Sequence, residues 1–415
     1  TMRQGNHVKL NLIDNSTAVI ERHKIAGIGF EYSSNCSASW TVENHNFPAF
    51  ITYYCQDINV SDGYAVSPKD ITAGRGYNVQ FNNSNRCDAI RLISYACRHI
   101  WDSSGASFCT VRDSHAYSPV ENISQYTTHG VYEHDILVEN SYHYDGQNAF
   151  GIAISGAAFG SQTRRFTIRG GRYNGLVKAS NSSQFIMENV DFYGTQIAEH
   201  EFAGTENTII KNVKFQDVAQ IRIEVPLDIS GGDANPSIND NIIFDNCDFN
   251  NNLMRTTNVL GTIEFKRCKN FGLLSDSDLG DYPYNYKFID CDLDIITGWE
   301  VKPINNLEII NCNINLNESI SFSAGKSALV TNSSLDSVNS NVRLKIDSPS
   351  VICANISTQN SVGIFAQDSC KAFTLSNITS INPDPSHTSF QFSTENTTNC
   401  RFIINGMNVS YTGSG

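Results

Sequence analysis

Charge is what this sequence has least of. Asp, Glu, Lys and Arg make up only 17% of its 415 residues, and 29 Lys and Arg stand against 42 Asp and Glu, a net charge of −13 at pH 7. Such a chain lacks the cations that neutralise phosphates, which argues against a nucleic acid partner and against anionic lipid. Long apolar runs are also missing. The longest small-apolar run, FGIAISGAAFG at 150–160, is broken by Gly and Ser. Nothing approaches the roughly 18 residues needed to span a membrane, so no membrane insertion is expected. The opening TMRQGNHVKL has no apolar core of a signal peptide. The 12 Cys contain no CxxC pair, so zinc is not expected, and no motif implies a cofactor or a metal. Nowhere does a long helical period of apolar residues run.

What is present is a repeat. FIMENVDFYG (185–194), TIIKNVKFQD (208–217), IIFDNCDFNN (242–251), IEFKRCKNFG (263–272), YKFIDCDLDI (286–295) and LEIINCNINL (307–316) share one pattern. Each alternates apolar and polar, passes a polar turn residue, places Val or Cys, and alternates again. Weaker copies are VICANIST (351–358), FTLSNITS (373–380) and FIINGMNV (402–409). Asn189 to Asn212 is 23 residues, Asp290 to Asn311 is 21 and Asn355 to Asn377 is 22. A coil of that length, with short strands and a turn Asn, predicts an all-β, right-handed single-stranded parallel β-helix. Alternation sends every second side chain inward. Asn tolerates the left-handed turn and can ladder with the Asn of the next coil. Cys247, Cys291 and Cys312 occupy one slot of the repeat, which predicts reduced thiols used for packing and a reducing compartment for folding.

The first half is less regular. RLISYACRHI, CTVRDSHAYS, DILVENSYHY and FTIRGGRYNG take the same slot, with Ser94, Asp113, Asn140 and Gly170 expected to stack. We read 1–415 as one solenoid: N-terminal coils at 1–98, loop-decorated coils at 99–233, and regular coils at 234–415. Loops on a rigid scaffold carry function, so a site is expected within 99–233.

The turn Thr128-His129-Gly130, with an aromatic after it and then DILVEN at 135–140, resembles the β-helical tailspikes and preneck appendages of bacteriophages. The resemblance covers about 90 residues specifically, and the later coils are generic to β-helical polysaccharide-active proteins. It implies a homotrimeric virion tail or appendage fibre, made in the host cytoplasm. It implies recognition of a bacterial cell-surface polysaccharide or teichoic acid, with contacts to other virion proteins through segments outside this chain. Such fibres often cut the polymer, and a binding fibre without turnover is the alternative.

Hydrolysis of a glycosidic bond needs two carboxylates, about 5–5.5 Å apart for retention or about 6.5–9.5 Å for inversion. Coils ~4.8 Å apart reach either spacing. Three groups qualify. Asp102, Asp113 and His115 form the first, with a turn aspartate capping amides as the alternative. His129, Glu133, His134 and Asp135 cluster at the THG turn, where Glu133 and Asp135 share parity and could act as a pair. The alternative there is a polar loop bonded to its own turn. The third is an outer stripe of Lys178, Glu199, Arg222 and Glu224, with His200 and Glu201 offered by the same strand as Glu199, which could equally be a solvated face with ion pairs. The candidate acids and bases are therefore Glu133, Asp135, His129, Asp113, Glu199 and Glu224. Candidate sugar contacts are Trp101, Asp102, His115, Tyr126, Tyr132, Lys178, Glu201 and Arg222, since aromatic rings suit sugar faces.

Overall fold

The computed structural model describes the chain except residues 1–7, 14–27, 73, 119, 121–122, 130, 145–149, 156–162, 225–239, 258, 260, 273, 277–283, 296–299, 338, 340–341, 360–362, 367–369, 382–389, 393–400 and 411–415. It is all-β, and it divides into two compact units. The first comprises Thr1–Ile209, Val213–Ala219 and Pro226–Ser237; the second comprises Ile210–Asn212, Gln220–Val225 and Ile238–Gly415. Each is the expected parallel β-solenoid.

In the first unit each coil contributes a strand to three sheets. One sheet stacks Phe50–Tyr53, Tyr77–Asn82, His99–Ser104, Tyr126–Thr128, Phe150–Ser155 and Leu176–Ser183, all parallel. A second stacks Asp88–Ile90, Ser107–Arg112, His134–Glu139 and Thr163–Arg169. A third stacks Tyr64–Val66, Ile93–Tyr95, His115–Tyr117, Tyr142–Tyr144 and Arg172–Tyr173. Alternation then fills the interior. Phe50, Val79, Trp101, Tyr126, Ile152 and Val177 are register partners on successive coils, and all are fully buried.

The second unit repeats the rule with a plainer core. Phe244, Phe265 and Phe288 stack ring on ring at centroid distances of 5.4 and 5.0 Å. Every cysteine within the described residues is free and buried. Cys268 Sγ donates to Phe244 O at 3.3 Å and Cys291 Sγ to Phe265 O at 3.4 Å. The neighbouring Cys268 thiol and burial push the Cys291 pKa up to about 12, so it stays a neutral packing group.

The turn column is where the repeat is written most plainly. Asn246, Asp290, Asn311, Asn332, Asn355 and Asn377 all take positive φ between 51 and 56°. Their amides ladder: Asn355 Nδ2 donates to Asn332 Oδ1 at 2.7 Å and Asn377 Nδ2 to Asn355 Oδ1 at 3.0 Å. In the first unit the same column runs Arg91, Asp113, Asn140, Gly170 and Asn189, each at positive φ. The expected Ser94 is therefore misplaced by three residues. Ser94 is buried and accepts from Asn78 Nδ2 at 3.0 Å, while Arg91 turns the chain and bonds Asp62. Gly170 is glycine for a reason: at φ +66° an added Cβ would meet Asn140 Oδ1 at 2.6 Å.

Candidate functional site

The sheet carrying Trp101 also carries an outward row. In strand His99–Ser104, Trp101 and Ser103 are fully buried, and alternation turns Asp102 to the other face. Its register partners are Gln80 on the coil before, then Thr127, Ala153, Lys178 and Glu201 on the coils after. Although outward, this row is recessed at three of its positions, with Asp102 0%, Thr127 5% and Glu201 7% exposed, while Gln80 and Lys178 are half-buried.

A buried carboxylate needs partners, and Asp102 has two. Gln80 Nε2 donates to Oδ2 at 2.6 Å, and His129 Nε2 meets Oδ1 at 2.7 Å. The His129 side chain remains 32% exposed. Burial alone lowers the His129 pKa, but the bond to Asp102 and the charges of Asp102 and Glu133 outweigh it and hold the imidazole above its ordinary value. Farther along the row Lys178 Nζ pairs with Glu201 Oε2 at 3.0 Å, and Ser180 Oγ donates to Glu201 Oε1 at 3.4 Å.

Glu133 and Asp135 are not brought together as a pair. Glu133 is 0% exposed and accepts from the backbone N–H groups of Gly105, His129 and Val131 at 3.2, 3.0 and 2.5 Å. Asp135 sits at positive φ, 55°, which turns it away from that network. It takes a two-pronged bond from Arg165, at 2.7 Å to each oxygen, and a contact with His134 Nδ1 at 2.8 Å. Arg165 first, then His134, hold its pKa down at about 2. The shared parity fails because the left-handed residue resets the alternation.

Asp102, Asp113 and His115 lie on separate parts of the coil. Asp113 is an exposed turn residue at φ 52°. His115 stands in the third sheet, stacked on Tyr142 at 4.8 Å, with Nδ1 3.3 Å from Tyr144 Oη. That sheet holds an aromatic slab the spacing argument did not assemble: Tyr95 stacks on Tyr117 at 4.7 Å and Tyr117 on Tyr144 at 4.8 Å. Trp101 and Tyr126 are corrected as sugar platforms, since both are fully buried on the inward face. Tyr132 is the opposite case, 78% exposed at a left-handed turn.

In the outer stripe, Lys178 faces Glu201, not Glu199; Glu199 is half-buried and precedes the strand His200–Lys211. His200 between them is fully buried, with Nε2 3.2 Å from Gln216 Oε1. Arg222 and Glu224 belong to the second unit, in register with Arg255 and Thr257; the Glu224 side chain lies outside the described residues. Sequence reasoning missed Gln80. Its signal was available: HIWDSS and YNVQFN align so that Gln80 and Asp102 fall on one rung. In the second unit a shallow depression is lined by Asp292, Asp294 and Asp336 among others. Asp292 and Asp294 each accept from an Asn one coil on, at 2.9 and 2.6 Å. Among the described residues no group of three or more His, Cys, Asp or Glu is placed to hold a metal ion.

No family model matches the chain, and no curated protein matches it. Among solved structures it is similar to a surface adhesin of Streptococcus pneumoniae, at 10% identity over 89% of this chain and 84% of that one, with a TM-score of 0.35. It is also similar to an exopolygalacturonase from Thermotoga maritima, at 10% identity over 93% of this chain and 85% of that one, with a TM-score of 0.31. A third is the catalytic domain of a GH87 alpha-1,3-glucanase, at 10% identity over 94% of this chain and 63% of that one, with a TM-score of 0.26.

Proposed function

We propose that this chain is the receptor-binding β-solenoid of a bacteriophage tailspike or preneck appendage, and that it holds a host cell-surface polysaccharide or teichoic acid along the row of Gln80, Asp102, Thr127 and Lys178. The reading rests on one observation: that row faces outward, yet Asp102 and Thr127 within it are sunk below the surface, between the half-buried Gln80 and Lys178. A polymer laid along the row meets a new side chain every ~4.8 Å. Buried polar groups give orientation, because a ligand that fails to pair with them leaves them unsatisfied. In this reading the virion fibre packs three copies, joined to other virion proteins through segments beyond this chain.

Cleavage is a second reading, and the Asp102–His129 pair favours it. An imidazole oriented by a buried carboxylate and still open to a ligand can give or take a proton. Glu133 and Asp135 are spent on amides and Arg165, so His129 is the proton carrier of this reading, in place of a carboxylate pair.

The test is product analysis. Teichoic acid and capsular polysaccharides from candidate hosts are incubated with the protein, and binding and chain length are followed together. Binding that weakens in Lys178→Ala and His129→Gln supports the receptor reading. Absence of any binding sinks it. Shortening that stops in His129→Gln while the polymer still binds establishes cleavage; a polymer that binds and never shortens makes the protein an adhesin.

A further inference from the structure

We infer that Glu133 is a positioning residue: its carboxylate pins the turn that carries His129 and so sets where the imidazole meets Asp102. The inference rests on the proposed site, but its geometry stands apart from any ligand. His129 follows the strand Tyr126–Thr128, and Glu133 precedes the strand His134–Glu139. Glu133 Oε1 accepts from the His129 N–H at 3.0 Å, within the turn, and from the Gly105 N–H at 3.2 Å, one coil earlier. Oε2 accepts from the Val131 N–H at 2.5 Å. One carboxylate thus ties three amides from two coils, with none of its surface exposed.

Gly105 makes this possible. It sits at φ +77°, and a Cβ there would meet Asn83 Oδ1 at 2.6 Å and the Val131 carbonyl at 3.2 Å. The close approach of the two coils delivers the Gly105 N–H to Glu133. A buried anion held only by amides is strongly bound, because charged acceptors strengthen each hydrogen bond. Within the same cluster the charges of Asp102 and Glu133 favour the protonated imidazole, and Arg98 opposes it. Glu133 therefore acts on His129 twice, through the backbone of the turn and through its charge.

The substitution Glu133→Gln separates these roles from plain stability. Gln keeps one acceptor oxygen but sets an NH2 against one of the amides and removes the charge. With histidine-labelled protein, the His129 signal is assigned by its loss in His129→Gln and titrated by NMR. In Glu133→Gln the His129 titration moves down toward the ordinary value, and polymer binding weakens about tenfold to a hundredfold. Combining it with His129→Gln then weakens binding no further than His129→Gln alone. Glu133→Asp keeps the charge on a shorter stem and serves if the Gln variant fails to fold; it restores part of the His129 shift. If the His129 titration stays put in both variants while thermal stability falls, Glu133 is only a turn brace and the inference is overturned. If the wild-type protein binds no polymer, the proposed function falls, yet the titration still decides the role of Glu133.

Discussion

The two units obey one backbone rule and spend it differently. The second unit fills successive rungs with like groups: phenyl on phenyl, thiol under carbonyl, Asn on Asn. In the first unit the rungs differ. Trp101, Tyr126 and Ile152 share one column, and four imidazoles lie buried at His45, His99, His143 and His200. Likeness between coils gives stability cheaply, because each contact is repeated. Unlike rungs cost buried polar groups, and it is among them that a recessed row with an oriented imidazole occurs. Regularity marks scaffold here, and irregularity marks the candidate site.

The largest test of this contrast cuts the regular stack. Phe265→Ala removes a ring packed against Phe244 and Phe288, and such truncations cost about 3–5 kcal/mol. Hydrogen exchange should loosen in Gly261–Lys266 and its neighbours while the His129 titration is unchanged. A shift at His129 would show that the units are not independent.

Acid is the next lever, and it acts on the first unit. Burial lowers the pKa of His45, His99 and His143 to about 4 and of His200 to about 3. All are neutral in the fold and titrate near 6.5 once unfolded. As pH falls from about 6.5 to about 4 the unfolded chain binds the extra protons, so stability is lost across that window. His129 runs the other way, its contribution full below about 6.5 and lost as pH rises through its raised folded value. Denaturation at pH 7 and 4.5, read by Trp40 and Trp101 emission in a Trp299→Phe background, should show the first unit weakening. His143→Leu should lower the acid midpoint, because it removes a fully buried imidazole whose pKa burial lowers to about 4.

A smaller effect is expected from Asn355→Ala. It deletes the bonds to Asn332 and from Asn377, and at φ 56° it leaves alanine without the short polar side chain that lets Asn tolerate the left-handed region. About 1–2 kcal/mol should be lost in chemical denaturation. Asn355→Gly should lose less, since glycine accepts that φ freely. The smallest change belongs to Arg165→Ala. Its ion pair with Asp135 is largely exposed, and such pairs are screened by salt. A melting shift that persists in 1 M salt would contradict this.

The solenoid was legible because its two causes are local. Alternation and a left-handed Asn are visible in single coils, and Asn355 to Asn377 reads directly as one turn. The site was legible only as an address. His129 and Asp102 were both named, yet their contact was not, because it joins residues on different coils. Strand parity allows Glu133 and Asp135 to work as a pair, and the left-handed Asp135 breaks parity between them. Trp101 and Tyr126 looked like platforms because an aromatic reads the same from either face. Arg91, not Ser94, turns its coil, and an arginine in an Asn slot carries no obvious turn signature.

The stacked phenols of Tyr95, Tyr117 and Tyr144 have an optical consequence. Rings held nearly parallel at 4.7 and 4.8 Å couple their electronic transitions, so the slab should carry its own near-ultraviolet circular dichroism. The coupling depends on three coils staying in step, because a slip of one residue turns the side chains to the opposite face. The first unit thus carries an intrinsic gauge of its own registry, readable without a label.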